Sequence, residues 1–201
     1  MNKVSIYKTE GIIIRAVDLG ELDRLLFVYT RGYGKISVRA ISARKKESKL
    51  RGLLEPFTLG QFVLAKSKTI DIVTDFEVAN SFSYLHKNLG NLAYAYYFAE
   101  LIDKLVTSPE DDENVWRLVR RVFEVLNSPQ PSLKTREGVG SPLKLRGGEG
   151  ELSQIRIVFE NTLVDFLGYG KMGQLKPVQR LNYLQSLAGE RLNSSKFLTQ
   201  F

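Results

Sequence analysis

Residues 35–41 show the regular alternation of apolar and polar side chains that is typical of a half-buried β-strand. One face of this strand would carry Ile36, Val38 and Ala40, and the other would carry Lys35, Ser37 and Arg39. The tetrapeptide Arg31-Gly32-Tyr33-Gly34 lies just before it and supplies glycines where a hairpin turn needs positive φ. The pattern predicts a strand that is entered through a tight turn.

The first eighty residues contain several such segments, rich in β-branched and aromatic residues and separated by turn-forming ones. The predicted strands are Tyr7–Asp18, Leu22–Thr30, Lys35–Ile41, Phe57–Lys66 and Thr69–Asn80. Short strands joined by turns in this way are typical of a small antiparallel barrel. We therefore predict a β-barrel domain over residues 1–80.

From about Ser81 the apolar residues follow a helical period instead. Residues 92–106 are apolar nearly all round and predict a buried helix. Ser108-Pro109 has the composition of a helix start, and the next helix would carry Val115, Leu118, Val119, Val122 and Leu126 on one stripe. Further helices are predicted at 151–167, before Gly168, and at 176–189. We predict an all-helical domain over residues 81–201, which makes the fold class α+β.

Residues 128–150 interrupt the helical part of the chain. They are rich in proline, glycine and serine and contain few large apolar residues. Such a composition favours a flexible insertion over a packed element.

The charge of the chain is concentrated in one segment. The net charge is +7, and residues 31–51 hold eight cations against the single acid Glu47, so this segment alone equals the excess. The eight cations are Arg31, Lys35, Arg39, Arg44, Lys45, Lys46, Lys49 and Arg51. A concentrated basic patch indicates a surface that binds an anionic polymer. Nucleic acid, an anionic membrane surface and acidic protein tails all suit such a charge, and on a small β-barrel we predict that these residues contact the phosphates of a nucleic acid.

Tyr33 is the aromatic residue that accompanies this patch. By the two-residue period it shares a face with Lys35 and Arg39, so it is the candidate for stacking on a base. The alternative is a turn residue that packs on its own hairpin. Residues 41–52, which we call the basic loop, are predicted to be a loosely held connection, and the alternative for them is a solvated surface.

The residue types that most catalytic sites need are scarce. The chain has no cysteine and one histidine, His86, which argues against disulfides, thiolate zinc sites and histidine-based catalysis. The acids at 110–113 are interpreted as the first turn of a helix, not as a cation site. We predict that the protein is not an enzyme and has neither cofactor nor metal.

The sequence shows no targeting or membrane segment. The first residues lack the apolar core of a signal peptide, and no apolar run approaches the ~20 residues of a membrane span. We expect a soluble cytoplasmic protein, associated with the nucleoid and without a membrane partner.

Several short motifs occur in the order and spacing of the bacterial RecO DNA repair family. They are Thr9-Glu10-Gly11, Gly20-Glu21-x-Asp23-Arg24-Leu25, Gly34-Lys35, Leu50-Arg51-Gly52 and Leu54-Glu55-Pro56-Phe57. As a set, over roughly the first 80 residues, they resemble the start of that family. Leu92-Ala93-Tyr94 and the FLGY segment at 166–169 continue the resemblance less sharply.

The resemblance implies an OB-fold barrel followed by helices. It implies binding of single- and double-stranded DNA without sequence specificity, strand annealing, and help in loading recombinase onto DNA coated by single-strand-binding protein. The implied partners are RecR and the acidic C-terminal tail of the single-strand-binding protein. Many family members carry a four-cysteine zinc module after the FLGY-like segment. This chain has no cysteine, so no zinc module is expected.

Two other functions fit the same sequence. One is an adaptor whose basic surface receives acidic peptide tails. The other is an RNA-binding OB-fold protein, because OB barrels accept either polymer.

Overall fold

The computed structural model describes residues 5–106, 111–128, 150–173 and 175–200. Two compact units make up the chain. The first contains residues up to Phe82 together with Val106–Trp116, and the second contains Ser83–Leu105 and Arg117–Phe201. The predicted insertion at 128–150 lies outside the described residues except for its two end positions.

The first unit is built on a closed barrel. Its strands are β1 (Ile6–Leu19), β2 (Asp23–Thr30), β3 (Gly34–Ala40), β4 (Leu59–Ala65) and β5 (Asp71–Asn80). They are hydrogen-bonded in the order β1-β2-β3-β5-β4, and β4 pairs back to β1. The β3–β5 pair is parallel and the other four pairs are antiparallel. This arrangement is an OB-fold barrel, which confirms the predicted fold class of its domain.

Strand β1 closes the barrel because it pairs with two neighbours along different parts of its length. Residues Ile6–Ile12 pair with β4, and Gly11–Leu19 pair with β2. The register on the β2 side shifts between Ile13 and Arg15, and this bulge bends the strand. Beyond the bulge, Arg15 is exposed and Ala16 packs partly against the core.

The barrel interior is filled by apolar residues at alternate positions of the strands. They include Ile13, Leu26, Val28, Val38, Phe62, Leu64, Val73 and Phe76. Gly11 of β1 pairs with Gly60 of β4 and lies against the side chains of β2. A Cβ atom on Gly11 would lie 2.6 Å from Cγ1 of Val28, so glycine is needed where β1 passes this β2 side chain.

The second unit is helical, as predicted. Its helices are α1 (Leu89–Leu105), α2 (Glu113–Leu126), α3 (Gly150–Phe166) and α4 (Pro177–Ala188), and the first residues of α2 are grouped with the barrel. Short 3₁₀ helices cover Leu85–Lys87 and Ser194–Gln200. No described helix combines the length and apolar character that crossing a membrane requires.

Helix α2 begins later than its sequence pattern suggested. The side chain of Asp112 accepts hydrogen bonds from the backbone N–H groups of Asn114 (2.7 Å) and Val115 (3.2 Å), so Asp112 is the cap. The predicted start at Ser108-Pro109 lies outside the described residues. Asp111 and Asp112 precede the helix and are not part of its first turn.

The core of the second unit contains the aromatic residues of α1. Tyr94, Tyr97 and Phe98 are buried, whereas Tyr96 is exposed. The Phe98 ring lies 4.4 Å from the Phe159 ring, centroid to centroid. The predicted buried helix is therefore confirmed for three of these four aromatic residues.

A buried ion pair joins α3 and α4. Nε of Arg180 lies 2.9 Å from Oε2 of Glu160, and the hydroxyl of Tyr97 donates to Oε1 of Glu160 at 2.7 Å. Arg180 also donates to Oδ1 of Asn161 at 2.9 Å. Burial and the neighbouring Glu160 carboxylate raise the pKa of Tyr97 above its ordinary value, so this phenol remains a protonated donor.

Candidate nucleic-acid interface

The basic loop is anchored to the barrel instead of being loosely held. Ala43, within the loop, and Leu54, just beyond its end, are 3% and 1% exposed and belong to the barrel core. The backbone N–H of Arg44 donates to the carbonyl of Leu22 at 2.9 Å, which ties the loop to the β1–β2 turn. Consecutive tight turns then carry the chain from Lys45 to Leu53. The prediction of a loosely held loop was wrong. The contacts that anchor the loop join residues far apart in the sequence, so the local pattern did not reveal them.

Asp23 fixes the start of the loop. Its carboxylate accepts a hydrogen bond from the backbone N–H of Ser42 at 2.7 Å, and Ser42 has a φ of 54°. The same carboxylate accepts two hydrogen bonds from Arg39, at 2.6 and 2.9 Å. The hydrogen bond from Ser42, followed by that from Arg39, holds the pKa of Asp23 below its usual range.

Arg24 fixes the other end of the loop. Its Nη1 donates to Oε1 of Glu55 at 2.7 Å and to the carbonyl of Leu54 at 3.0 Å. Its Nε donates to Asp18 at 3.2 Å. Asp23, Arg24 and Glu55 all lie in the motifs quoted above, and sequence reasoning did not foresee that they would shape the loop. The sequence signal that could have shown this role was the opposite charge of the acids Asp23 and Glu55 and the base Arg24 within those motifs.

Three of the predicted phosphate-binding cations are paired with carboxylates of the chain. Arg31 pairs with Glu113 (3.1 Å), Arg39 with Asp23 (2.6 Å) and Arg44 with Asp18 (3.3 Å). Lys35 is half-buried in β3, opposite Tyr29 of β2. These residues therefore contribute less uncompensated charge than the sequence suggested.

The remaining four cations carry the uncompensated charge. Lys45, Lys46, Lys49 and Arg51 are exposed, and none of them forms an ion pair with a carboxylate among the described residues. All four lie in one short run of an anchored loop. Beside them is a surface pocket of about 330 Å³ lined in part by Arg24, Arg44, Arg51 and Glu55. This arrangement can neutralise phosphates along a backbone without reading bases.

Tyr33 lies at the other end of β3 from the basic loop. The seven residues of β3 span about 20 Å at the usual rise of a strand, so Arg31 and Tyr33 do not join the four loop cations. Tyr33 is 39% exposed, and its ring centroid lies 4.8 Å from that of Tyr7. The nine predicted site residues therefore extend along β3 and do not form one cluster.

Tyr7 is itself held in place at that end of the barrel. Its hydroxyl donates to Oδ2 of Asp71 at 2.7 Å. Burial and this hydrogen bond raise the pKa of Tyr7 above its ordinary value. Tyr33 thus packs on a fixed aromatic neighbour, which favours the alternative in which Tyr33 is a turn residue.

The outward side of β2 carries an aromatic residue that the sequence analysis did not single out. Phe27 pairs with Ser37 of β3 and with Arg15 of β1. The Arg15 guanidinium carbon lies 3.5 Å from the centroid of the Phe27 ring. The signal that could have found this pair was the strand register, which the single sequence leaves open.

The described residues offer no obvious metal site. Among them, no group of three or more histidine, cysteine, aspartate or glutamate residues is placed to hold an ion. His86 is exposed in the 3₁₀ helix Leu85–Lys87.

Residues 1–82 match the family model described as "Recombination protein O N terminal". Among curated relatives named "DNA repair protein RecO", the one from Pelotomaculum thermopropionicum is 34% identical over 123 residues, 61% of this chain and 48% of that protein. The one from Roseiflexus sp. is 34% identical over 164 residues, 82% and 50% of the two chains. The one from Halalkalibacterium halodurans is 30% identical over 149 residues, 74% and 59%. The chain spans about half the length of the curated relatives it matches.

Proposed function

Residues 1–82 make this chain a member of the RecO family, and from that premise we propose that it is a DNA repair and recombination mediator. Residues 1–80 act as the nucleic-acid-binding domain and residues 81–201 as a helical domain. The protein works in the cytoplasm at the nucleoid, as an accessory factor and not as an enzyme.

One observation supports DNA binding above the others. Lys45, Lys46, Lys49 and Arg51 are exposed, close together in sequence and in no ion pair with a carboxylate of the described residues. Their anchored loop holds the charge beside the β1–β2 turn, one of the loops through which OB folds bind oligonucleotides. Flexible cationic side chains contact phosphates of any sequence, so binding is not sequence-specific.

The paired arginines have a second part in this function. Arg31, Arg39 and Arg44 form exposed ion pairs, which are weak in water. A DNA phosphate can replace the carboxylate partner of each arginine. Such an exchange releases fewer counterions than a contact with an unpaired lysine, so these three residues add less salt dependence than the four loop cations.

Strand annealing follows from neutralising two strands at once. Two complementary strands repel each other through their phosphates, and the basic loop lowers that repulsion while their bases remain free to pair. Both single- and double-stranded DNA bind, because the loop contacts only the phosphate backbone, which the two forms share.

The partners of this function are RecR and the acidic C-terminal tail of the single-strand-binding protein. Through them the protein helps to load recombinase onto DNA coated by single-strand-binding protein. The family membership supports these partners, and an acidic tail is also complementary in charge to the basic loop.

The annealing rate of complementary oligonucleotides tests the proposal. We expect a variant with Lys45, Lys46, Lys49 and Arg51 replaced by alanine to anneal at least about tenfold more slowly, because it loses the uncompensated charge. A matched control replaces Lys8, Lys68, Lys87 and Lys171, which are exposed and lie elsewhere in the chain. Equal rates for the loop variant and the control would refute the assignment of annealing to the basic loop.

A further inference from the structure

The outward side of strands β1, β2 and β3 forms a continuous surface, which we call the outer sheet face. The strand register aligns Arg15, Phe27 and Ser37 in one row across it. The next row contains Val17, Leu25 and Arg39. Directly paired residues of neighbouring strands point to the same side, so these two rows are adjacent on one face.

The first row contains a stacked pair of planar groups. The guanidinium of exposed Arg15 lies over the ring of Phe27, with 3.5 Å between the guanidinium carbon and the ring centroid. Phe27 is only partly buried. Aromatic rings and arginine planes are the two protein surfaces on which unpaired bases stack.

Exposed aliphatic residues extend this face toward the basic loop. Val17, Leu19, Leu22 and Ile41 are 42%, 41%, 40% and 48% exposed. The contacts of Ser42 with Asp23 and of Arg44 with Leu22 hold this apolar patch against the start of the loop. An apolar patch therefore borders the run of cations at residues 45–51.

The charges of this face favour an anionic partner. Its acid, Asp23, pairs with Leu19 across β1 and β2 and is engaged by Arg39. The apolar patch is bordered by Arg15, Arg39 and the basic loop, so apolar and cationic surfaces alternate over a short distance. A single strand of nucleic acid, with exposed bases along a phosphate backbone, has the complementary pattern.

We propose that the outer sheet face binds the unpaired bases of single-stranded DNA, with Phe27 and Arg15 as the stacking position and the basic loop on the adjacent phosphates. The inference rests on the proposed function and extends it to the bases. A duplex hides the faces of its bases, so it contacts the loop but gains nothing from Phe27. The outer sheet face therefore gives the protein a preference for single strands.

Conservative substitutions at the stacking position test this inference. Phe27→Leu keeps an apolar side chain but removes the aromatic face, and Arg15→Lys keeps the charge but removes the plane. The measurement is fluorescence anisotropy of a labelled thymidine oligonucleotide and of a duplex at one fixed salt concentration. We expect each variant to bind the single strand about tenfold more weakly and the duplex as the wild type does.

An oligonucleotide without bases separates stacking from charge. Phe27→Leu should not change its binding, since the phosphates and the loop are intact. Circular dichroism establishes that the variants are folded, and Arg15→Lys, at an exposed position, serves if Phe27→Leu is unstable. The salt slope should remain that of the wild type in both variants.

Several outcomes would overturn the inference. Equal losses on single strand and duplex, or a loss on the base-free oligonucleotide, would show that the substitutions act on charge or folding. A change in self-association instead of DNA affinity, seen by sedimentation, would make the face a subunit interface. Normal DNA binding by both variants refutes the inference alone, whereas wild-type protein that binds no DNA refutes the proposed function as well.

Discussion

Single residues decide whether the candidate interface has a fixed shape. The Asp23 carboxylate accepts hydrogen bonds from the backbone N–H of Ser42 and from the guanidinium of Arg39. The guanidinium of Arg24 donates to Glu55 and to the carbonyl of Leu54. The loop cations lie between these two attachment points. Asp23, Arg24 and Glu55, which lie in the RecO-like motifs, are thus residues that hold the loop, and the cations that we propose to contact phosphates lie between the two attachment points.

We expect the contribution of Asp23 to stability to disappear in acid. Its pKa is lowered in the folded protein, first by the Ser42 hydrogen bond and then by Arg39. The stabilisation is therefore present above the ordinary pKa of 3.8 and is lost as pH falls through the lowered folded value. Melting temperatures of wild type and Asp23→Asn, measured across this range, should converge at the acid end. A constant difference at all pH values would contradict the ionised role of Asp23.

In the second unit we expect a large cost when the buried pair of α3 and α4 is broken. The side chains of Glu160 and Arg180 are 3% and 5% exposed. Glu160→Gln leaves the Arg180 charge buried without a counter-ion and should lower the free energy of unfolding by about 3 kcal/mol. Urea unfolding measures this change.

The partly exposed pair of Arg120 and Glu124 provides the control for that measurement. Glu124→Gln makes the same chemical change at a surface i,i+4 pair and should cost no more than about 0.5 kcal/mol. If both substitutions cost the same, the burial of the Glu160 and Arg180 pair would have no energetic consequence.

At the scale of elements, the strands of the barrel could be predicted from sequence to within two residues. Local signals determine them: the alternation in β3, the glycines of the turn at 31–34 and the β-branched run of β1. The start of α2 could not be predicted from sequence, because Asp111 and Asp112 suit the first turn of a helix as well as a cap. The anchoring of the basic loop could not be predicted either, since Ala43 and Leu54 are buried against strands that are distant in sequence.

The packing of β1 against the side chains of β2 gives a prediction for the barrel. In Gly11→Ala the new methyl group would lie 2.6 Å from Cγ1 of Val28 and 3.1 Å from Cγ2 of Thr30. We expect a loss of about 1–3 kcal/mol in the free energy of unfolding, because the barrel interior has no room for it. Gly90→Ala in the first turn of α1, where the nearest atoms are 3.3 Å or more away, is the matched control and should change stability little.

At the scale of the whole molecule, the net charge and its concentration in residues 31–51 were evident from the sequence. The sequence did not reveal which of these cations would be paired with carboxylates. Glu113 and Asp18 lie outside that segment, and their pairing with Arg31 and Arg44 is set by the fold. The eight cations therefore reduce to four that are exposed and without a carboxylate partner among the described residues.

The salt dependence of DNA binding by the variant that lacks Lys45, Lys46, Lys49 and Arg51 tests directly whether the basic loop contacts DNA phosphates. Each phosphate contact contributes a slope of about −0.7 on single strands and about −0.9 on duplex DNA in a plot of log affinity against log salt. We predict that the slope becomes shallower by about 2.8 on single strands and about 3.6 on duplex, while the Lys8, Lys68, Lys87 and Lys171 variant keeps the wild-type slope. A loop variant with an unchanged slope would contradict the account.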